Sequence, residues 1–259
     1  KIRLRVLYKT LLRRLPQGGF LFSTDAGLVE CPLQDREHLM TKLIYITDPL
    51  CGWCWASAPV IATANRTATD LGIPFELLHR ALFTGDMVRW MSRSFSDYVT
   101  EADQRITALS GQQFSDAYQN NLLYKPDLIF DSWPTAVALQ VIKALKPDQA
   151  YAFFCQLQRL RFDEGKIITD SSVLTEAATL LGIKAIDFHN AFTYNPSVTD
   201  AAKRDQREAI SLQNQALSQG VPCLLLERDD SLIRLPLESW FADPEGFTQL
   251  LQQQLITSP

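Results

Sequence analysis

The sequence is poor in the residues that several large classes of protein depend on. Histidine occurs three times in 259 residues, at His38, His79 and His189, and no two are near each other. Cysteine occurs five times, at Cys31, Cys51, Cys54, Cys155 and Cys223. That number is odd and three of the five stand alone, whereas secreted disulfide frameworks use even, closely spaced sets. A structural zinc site needs four ligands, usually in paired spacing, and one Cys-x-x-Cys without a second pair does not supply them. The net charge of -4 carries no excess of Lys and Arg to hold nucleic acid. No apolar run reaches membrane-spanning length: the least charged stretch, Leu43 to Ala64, is interrupted by Asp48, Pro49 and Pro59. No segment repeats. These scarcities predict no metal, no nucleic acid and no membrane, and they point to a reducing compartment, cytoplasmic rather than periplasmic.

What is present is an ordinary globular composition, 46% hydrophobic and 21% charged. Residues 1–39 differ from the rest. Lys1 to Arg14 is basic with leucines between the charges, Gln17-Gly18-Gly19 breaks any helix, and the apolar core of a secretory signal is missing. Met40 stands directly before the first clear strand. The segment is expected to be an N-terminal extension, non-native or disordered, with the natural start at Met40.

From there the chain reads as an α/β protein. Leu43-Ile44-Tyr45-Ile46-Thr47 is the continuous apolar, β-branched run of a buried strand. A helix is expected from the cysteine pair to about Asp70, followed by a second strand at Phe75 to His79, which makes a right-handed βαβ unit. Residues 83–195 carry helical periodicity over Phe95–Leu109, Gln113–Leu122, Thr135–Leu145, Asp148–Arg161, Ser172–Leu181 and Ala185–Phe192. After a helix from about Val198 to Ser218 come strands at Cys223–Glu227 and Leu232–Leu235 and a last helix, Pro244–Leu255. The expected division is therefore 40–82, a helical insertion at 83–195, and 196–259.

Cys51-Gly52-Trp53-Cys54 follows the buried strand and opens a helix. A thiolate at a helix start meets free backbone N–H groups and the positive end of the dipole, which lowers its pKa. Cys51 is thus expected to attack disulfides, and Cys54, one turn on, to resolve the mixed disulfide. Trp53 and Trp55 offer flat apolar surface to a substrate. Val221-Pro222 enters a strand, where proline is tolerated at an edge, at a bulge or in a cis bond; in the last case the Val221 backbone would be free to pair with an extended substrate.

The segment Asp48-Pro49-Leu50-Cys51-Gly52-Trp53-Cys54-Trp55 resembles the active site of the DsbA family, most closely its FrnE-like branch. Gly220-Val221-Pro222 resembles that family's cis-proline loop. Phe162-Asp163-Glu164-Gly165 with Ile168, Val173-Leu174 and Leu181-Gly182-Ile183 resembles its helical region. The resemblance implies a thioredoxin-like fold interrupted by an all-helical domain, thiol-disulfide oxidoreductase or isomerase activity on protein thiols and disulfides, and a cis Pro222 lying against the cysteines. It implies no bound cofactor, with glutathione as a redox partner. In three places the chain departs from the pattern. Tyr45 replaces the buried acid six residues before Cys51, leaving Asp48 as a substitute for proton shuttling. Asp131 to Ala136 lacks a histidine found in relatives. Cys223 follows the proline directly, as a buried thiol or a third redox sulfur. Kappa-class glutathione transferases and isomerases resemble the same fold but use a serine where this chain has Cys51 and Cys54.

Overall fold

The computed structural model describes residues 13–14, 20–24, 27–30, 41–126, 128–229 and 231–256. It divides into two units, 1–40 and 41–259. In the first, strands β1 (Arg13–Arg14), β2 (Phe20–Thr24) and β3 (Gly27–Glu30) pair antiparallel in sequence order. Most of the expected extension, Met40 and Cys31 included, lies outside the described residues.

The second unit is built on β4 (Lys42–Thr47), α1 (Gly52–Ala56), α2 (Ala58–Asp70) and β5 (Phe75–His79). Next comes a block with β6 (Arg89–Trp90), α3 (Arg93–Ser110), α4 (Asp116–Tyr118) running into a π turn at Gln119–Leu123, and β7 (Ile129–Phe130). The block continues through α5 (Trp133–Leu145), α6 (Ala150–Phe162), α7 (Ser171–Leu180) and α8 (Ala185–Tyr194). The chain closes with α9 (Pro196–Gln215), β8 (Cys223–Arg228), β9 (Ser231–Leu235) and α10 (Phe247–Ile256).

The four-stranded sheet has the order β5-β4-β8-β9. β4 runs parallel to β5, with Thr47 opposite His79, and antiparallel to β8, with Ile46 opposite Cys223. This is the thioredoxin-like arrangement. Because β4 is covered on both faces, every residue from Leu43 to Thr47 is buried, which explains the unbroken apolar run. Alternation sends Leu43 and Tyr45 into the large core shared with α2, α10 and the insertion. It sends Ile44 and Ile46 to the opposite face, with Ala209 of α9.

Two expectations need correction. The insertion is helical except for the antiparallel pair β6–β7, whose two-residue strands are too short to leave a period in the sequence. The expected single helix from the cysteines to Asp70 is broken at Ser57. Pro59 has no N–H to give the carbonyl four residues back, that of Trp55, which accepts instead from Gln112 Nε2 at 3.1 Å. The break frees the active-site turn from the axis of α2 and ties it to the insertion.

Candidate active site

The site begins where β4 ends. The Asp48 carboxylate is fully buried and accepts three hydrogen bonds: Leu50 N at 2.9 Å on Oδ1, and Leu82 N at 2.8 Å and Ser132 Oγ at 2.6 Å on Oδ2. Its own carbonyl accepts from Cys51 N at 3.1 Å. One side chain thus holds the turn before the cysteines, the loop after β5 and the start of α5. Asp48 was a candidate proton shuttle; here both its oxygens serve as a brace.

Cys51 is the N-cap of α1, with φ -83° and ψ 118°. Among the described residues the N–H groups of Gly52 and Trp53 meet no acceptor, as expected at a helix start. The Cys51 sulfur lies 3.7 Å from the Val221 carbonyl; the residue is 9% exposed, whereas Cys54 is 0% exposed. Burial pushes the Cys54 thiol well above its usual range, and the neighbouring Cys51 sulfur adds to this; the Thr47 hydroxyl and the Asp48 backbone act the other way. Cys54 is therefore a proton-bearing thiol under Cys51.

Tyr45 occupies the place of the buried acid. Ser57 Oγ donates to the Cys54 carbonyl at 3.0 Å, so its single proton is used and the Tyr45 hydroxyl donates to it at 3.1 Å. Burial, and secondarily the proximity of Cys54, drives the Tyr45 phenol well above its ordinary pKa, so it stays neutral. Beside Thr47, His79 is buried with Nε2 2.9 Å from Thr135 Oγ1. Thr135 gives its proton to Ser132 O, so His79 Nε2 carries the hydrogen. Burial lowers the imidazole pKa, which fixes a neutral ring.

The opposite wall is the loop before β8. The Val221–Pro222 bond is cis, as the resemblance implied, and Gly220 adopts φ +74°. Gln213 of α9 donates to Gly220 O and receives Arg80 Nη1 at 2.7 Å, fastening this loop to β5. Cys223, opposite Ile46, faces α9 on the far side of the sheet, with Ser218 Oγ 3.5 Å from its sulfur. Burial pushes this thiol up as well. It is a packed thiol, not a third sulfur at the site.

The insertion supplies the third wall. A Cβ on Gly52 would stand 3.0 Å from Asp103 Oδ1 and from Ile106 Cδ1 of α3, so only glycine lets α3 come this close. Trp55 gives its indole N–H to Gln113 O at 2.9 Å and stacks on Phe162 at 5.5 Å. Its ring is thus engaged with the insertion, while Trp53 remains half-buried at the edge of the site. Asp103 is buried, which raises its pKa to about 7 against the opposing pull of Tyr118 and Arg161. The Arg161 guanidinium, itself buried, lies 4.8 Å from the Phe130 ring centre and 5.5 Å from those of Tyr118 and Phe162. The structure places the Cys51 sulfur beside Cys54 and against the Val221 carbonyl, one residue before the cis Pro222. Gln213 and Asp103 gave no sequence signal, since Gln213 meets Arg80, 133 positions away, and Asp103 acts through burial. Asp48 was marked by its place in the motif but not by its bonds to Leu82 and Ser132.

A strand-turn-helix with two neighbouring thiols, the first against a cis-proline loop and the second buried, on a thioredoxin-like sheet is the arrangement of a thiol-disulfide oxidoreductase. No family profile and no curated protein matches the chain. Solved structures do. The cytosolic disulfide reductase DsbM from Pseudomonas aeruginosa is 29% identical, with a TM-score of 0.73 over 83% of this chain and 98% of its own. A DsbM structure with GSH gives 26% identity and a TM-score of 0.71 over 83% of this chain and 100% of its own. A candidate protein disulfide isomerase from Nitrosomonas europaea shares the fold, with 20% identity and a TM-score of 0.67 over 84% and 99% of the two chains. The chain is a DsbA-like disulfide oxidoreductase of the thioredoxin superfamily.

Proposed function

We propose that Cys51 is the nucleophile and Cys54 the resolving thiol of a glutathione-linked disulfide reductase acting on protein disulfides. The Cys51 thiolate attacks one sulfur of the substrate disulfide, and the other sulfur leaves as a thiolate and takes up a proton. Cys54 gives up its proton and attacks the Cys51 sulfur. The second substrate thiol is released, two electrons have passed to the substrate, and a Cys51–Cys54 disulfide remains. Two glutathione thiols then restore the pair: the first forms a mixed disulfide at Cys51 and frees Cys54, and the second displaces it as glutathione disulfide. The observation that carries the assignment of roles is that Cys51, at the helix start with its sulfur 3.7 Å from Val221 O, keeps 9% of its surface exposed, whereas Cys54 keeps none.

Reduction, a cytosolic setting and glutathione are supported by the description of DsbM as a cytosolic disulfide reductase and by its structure with GSH. No described helix is long and apolar enough to cross a membrane. Membership of the FrnE-like branch rests on the resemblance of Phe162-Asp163-Glu164-Gly165 and the segments after it, where Gly165 adopts φ +63° against the Ala117 carbonyl. Trp53 and the Val221 backbone are the surfaces offered to substrate. The test is glutathione-driven reduction of a protein disulfide: Cys51→Ser should abolish it, and Cys54→Ser should accumulate a mixed disulfide at Cys51, visible by mass spectrometry. A mixed disulfide at Cys54 in the Cys51→Ser variant would refute the assignment.

A further inference from the structure

One side chain near the cysteine site breaks the pattern of the rest of the fold. Leu217 is 94% exposed, more than any other large apolar residue among the described ones. It also adopts φ +50°. In that left-handed region the Cβ of an L-residue crowds the following carbonyl, so glycine or asparagine normally stands there. Asp229 is the other described residue of this kind, at φ +53°, and it sits in the turn between β8 and β9, where a short polar side chain tolerates the conformation. Leucine has no such compensation.

The backbone explains the φ but not the leucine. Ser218 N donates to Gln213 O at 2.8 Å and Leu217 N to Asn214 O at 3.2 Å, the pair of bonds that closes a helix C-terminus. Glycine would serve this turn better, because a side chain so exposed packs on almost nothing in the chain. The side chain of the same Gln213 donates to Gly220 O and accepts from Arg80 Nη1 at 2.7 Å. One residue thus clasps the end of α9 to the loop that leads to Val221. Leu217 stands four positions before Val221, at most about 14 Å of chain, and Val221 O lies 3.7 Å from the Cys51 sulfur. An apolar side chain is therefore held out to solvent, on a fixed support, beside the loop offered to substrate.

We propose that Leu217 is a specificity contact, packing against an apolar side chain of the protein substrate within about five positions of the cysteine under attack. The assignment rests on the reading of the protein as a reductase of protein disulfides. The occupant is an extended segment of that substrate, because the support of Leu217 is continuous with Val221. A chain laid along Val221 advances about 3.4 Å per residue, which brings its fourth or fifth residue to Leu217. Contact takes both side chains out of water. The gain offsets the backbone cost of leucine in this turn, and a support already clasped loses little freedom on binding.

The test uses two synthetic peptides, each dimerised through a single cysteine, with glutathione as reductant. One carries leucines on both sides of the cysteine and the other carries serines at the same places. The unmodified protein should reduce the leucine peptide with a KM about tenfold lower, the worth of burying about half a leucine side chain. In Leu217→Gly that ratio should fall toward one, and Leu217→Met should restore it. Thermal unfolding separates the effect from damage to the fold: Leu217→Gly should have a Tm no lower than the unmodified protein, since glycine suits the left-handed conformation. A ratio that Leu217→Gly leaves unchanged would overturn the proposal. So would a Tm lowered by the glycine, which would show that the side chain serves the fold. If neither peptide is reduced, the reductase reading itself fails and the assignment falls with it. If both are reduced with equal KM, that reading stands and only the role of Leu217 is lost.

Discussion

Replacing Asp103 by Asn should change the pH dependence of stability in a direction that the burial of this carboxyl dictates. The acid titrates near 7 in the folded protein and near its ordinary value, about 3.9, in the unfolded chain. Between those limits the folded state holds a proton that the unfolded state has released, so stability falls as pH rises. The contribution is complete below the unfolded pKa and lost by the time pH passes the folded one. The full span is worth about 4 kcal/mol, and the part between pH 5 and pH 7 about 2 kcal/mol. Asn keeps the shape of the protonated acid and has no proton to lose. Urea unfolding of both proteins with thiols kept reduced, at about pH 5 and about pH 8, gives the comparison directly. The variant should gain about 3 kcal/mol relative to the parent on going from the lower to the higher pH. An equal difference at both pH values would mean that Asp103 ionises freely in the folded protein, and the argument from burial would be wrong.

Other consequences follow from the same contacts. Gly52→Ala places a methyl 3.0 Å from Asp103 Oδ1 and Ile106 Cδ1 and should cost about 1–3 kcal/mol by overpacking, read by urea unfolding; unchanged stability would show that α3 yields easily. Ser132→Ala removes the 2.6 Å donor to the buried Asp48 carboxylate and should cost about 1–3 kcal/mol, seen as a lowered Tm. Trp55→Phe can keep a ring on Phe162 but loses the indole N–H to Gln113 O together with part of the packed ring. It should cost about 2 kcal/mol, roughly half from the hydrogen bond and half from the lost ring contact, read by urea unfolding; unchanged stability would show that the Trp55 contacts with the insertion add nothing.

The chemistry of the site was legible because it is local. A buried strand, two cysteines three positions apart and a helix start are set by neighbours in sequence, and the roles proposed for the two thiols need no distant partner to be suggested. The strands β4, β5, β8 and β9 were legible for the same reason, since covering both faces of β4 leaves an unbroken apolar run. The break at Ser57 was written in Pro59, but its meaning was not: only the fold shows that Gln112 takes the carbonyl that the proline leaves free.

What the tertiary structure alone decided is which polar groups end up without water. Asp103, His79 and Gln213 are ordinary residues in the sequence, with no spacing that marks them, and the place of Asp48 beside the cysteines does not disclose what it bonds. Their roles arise because segments remote along the chain close over them, and burial then turns each into a brace, a neutral ring or an acid held near pH 7. The orientation of Cys223 was settled in the same way. Its place opposite Ile46 puts its sulfur on the α9 face, and strand pairing, a property of the whole sheet, fixes that register.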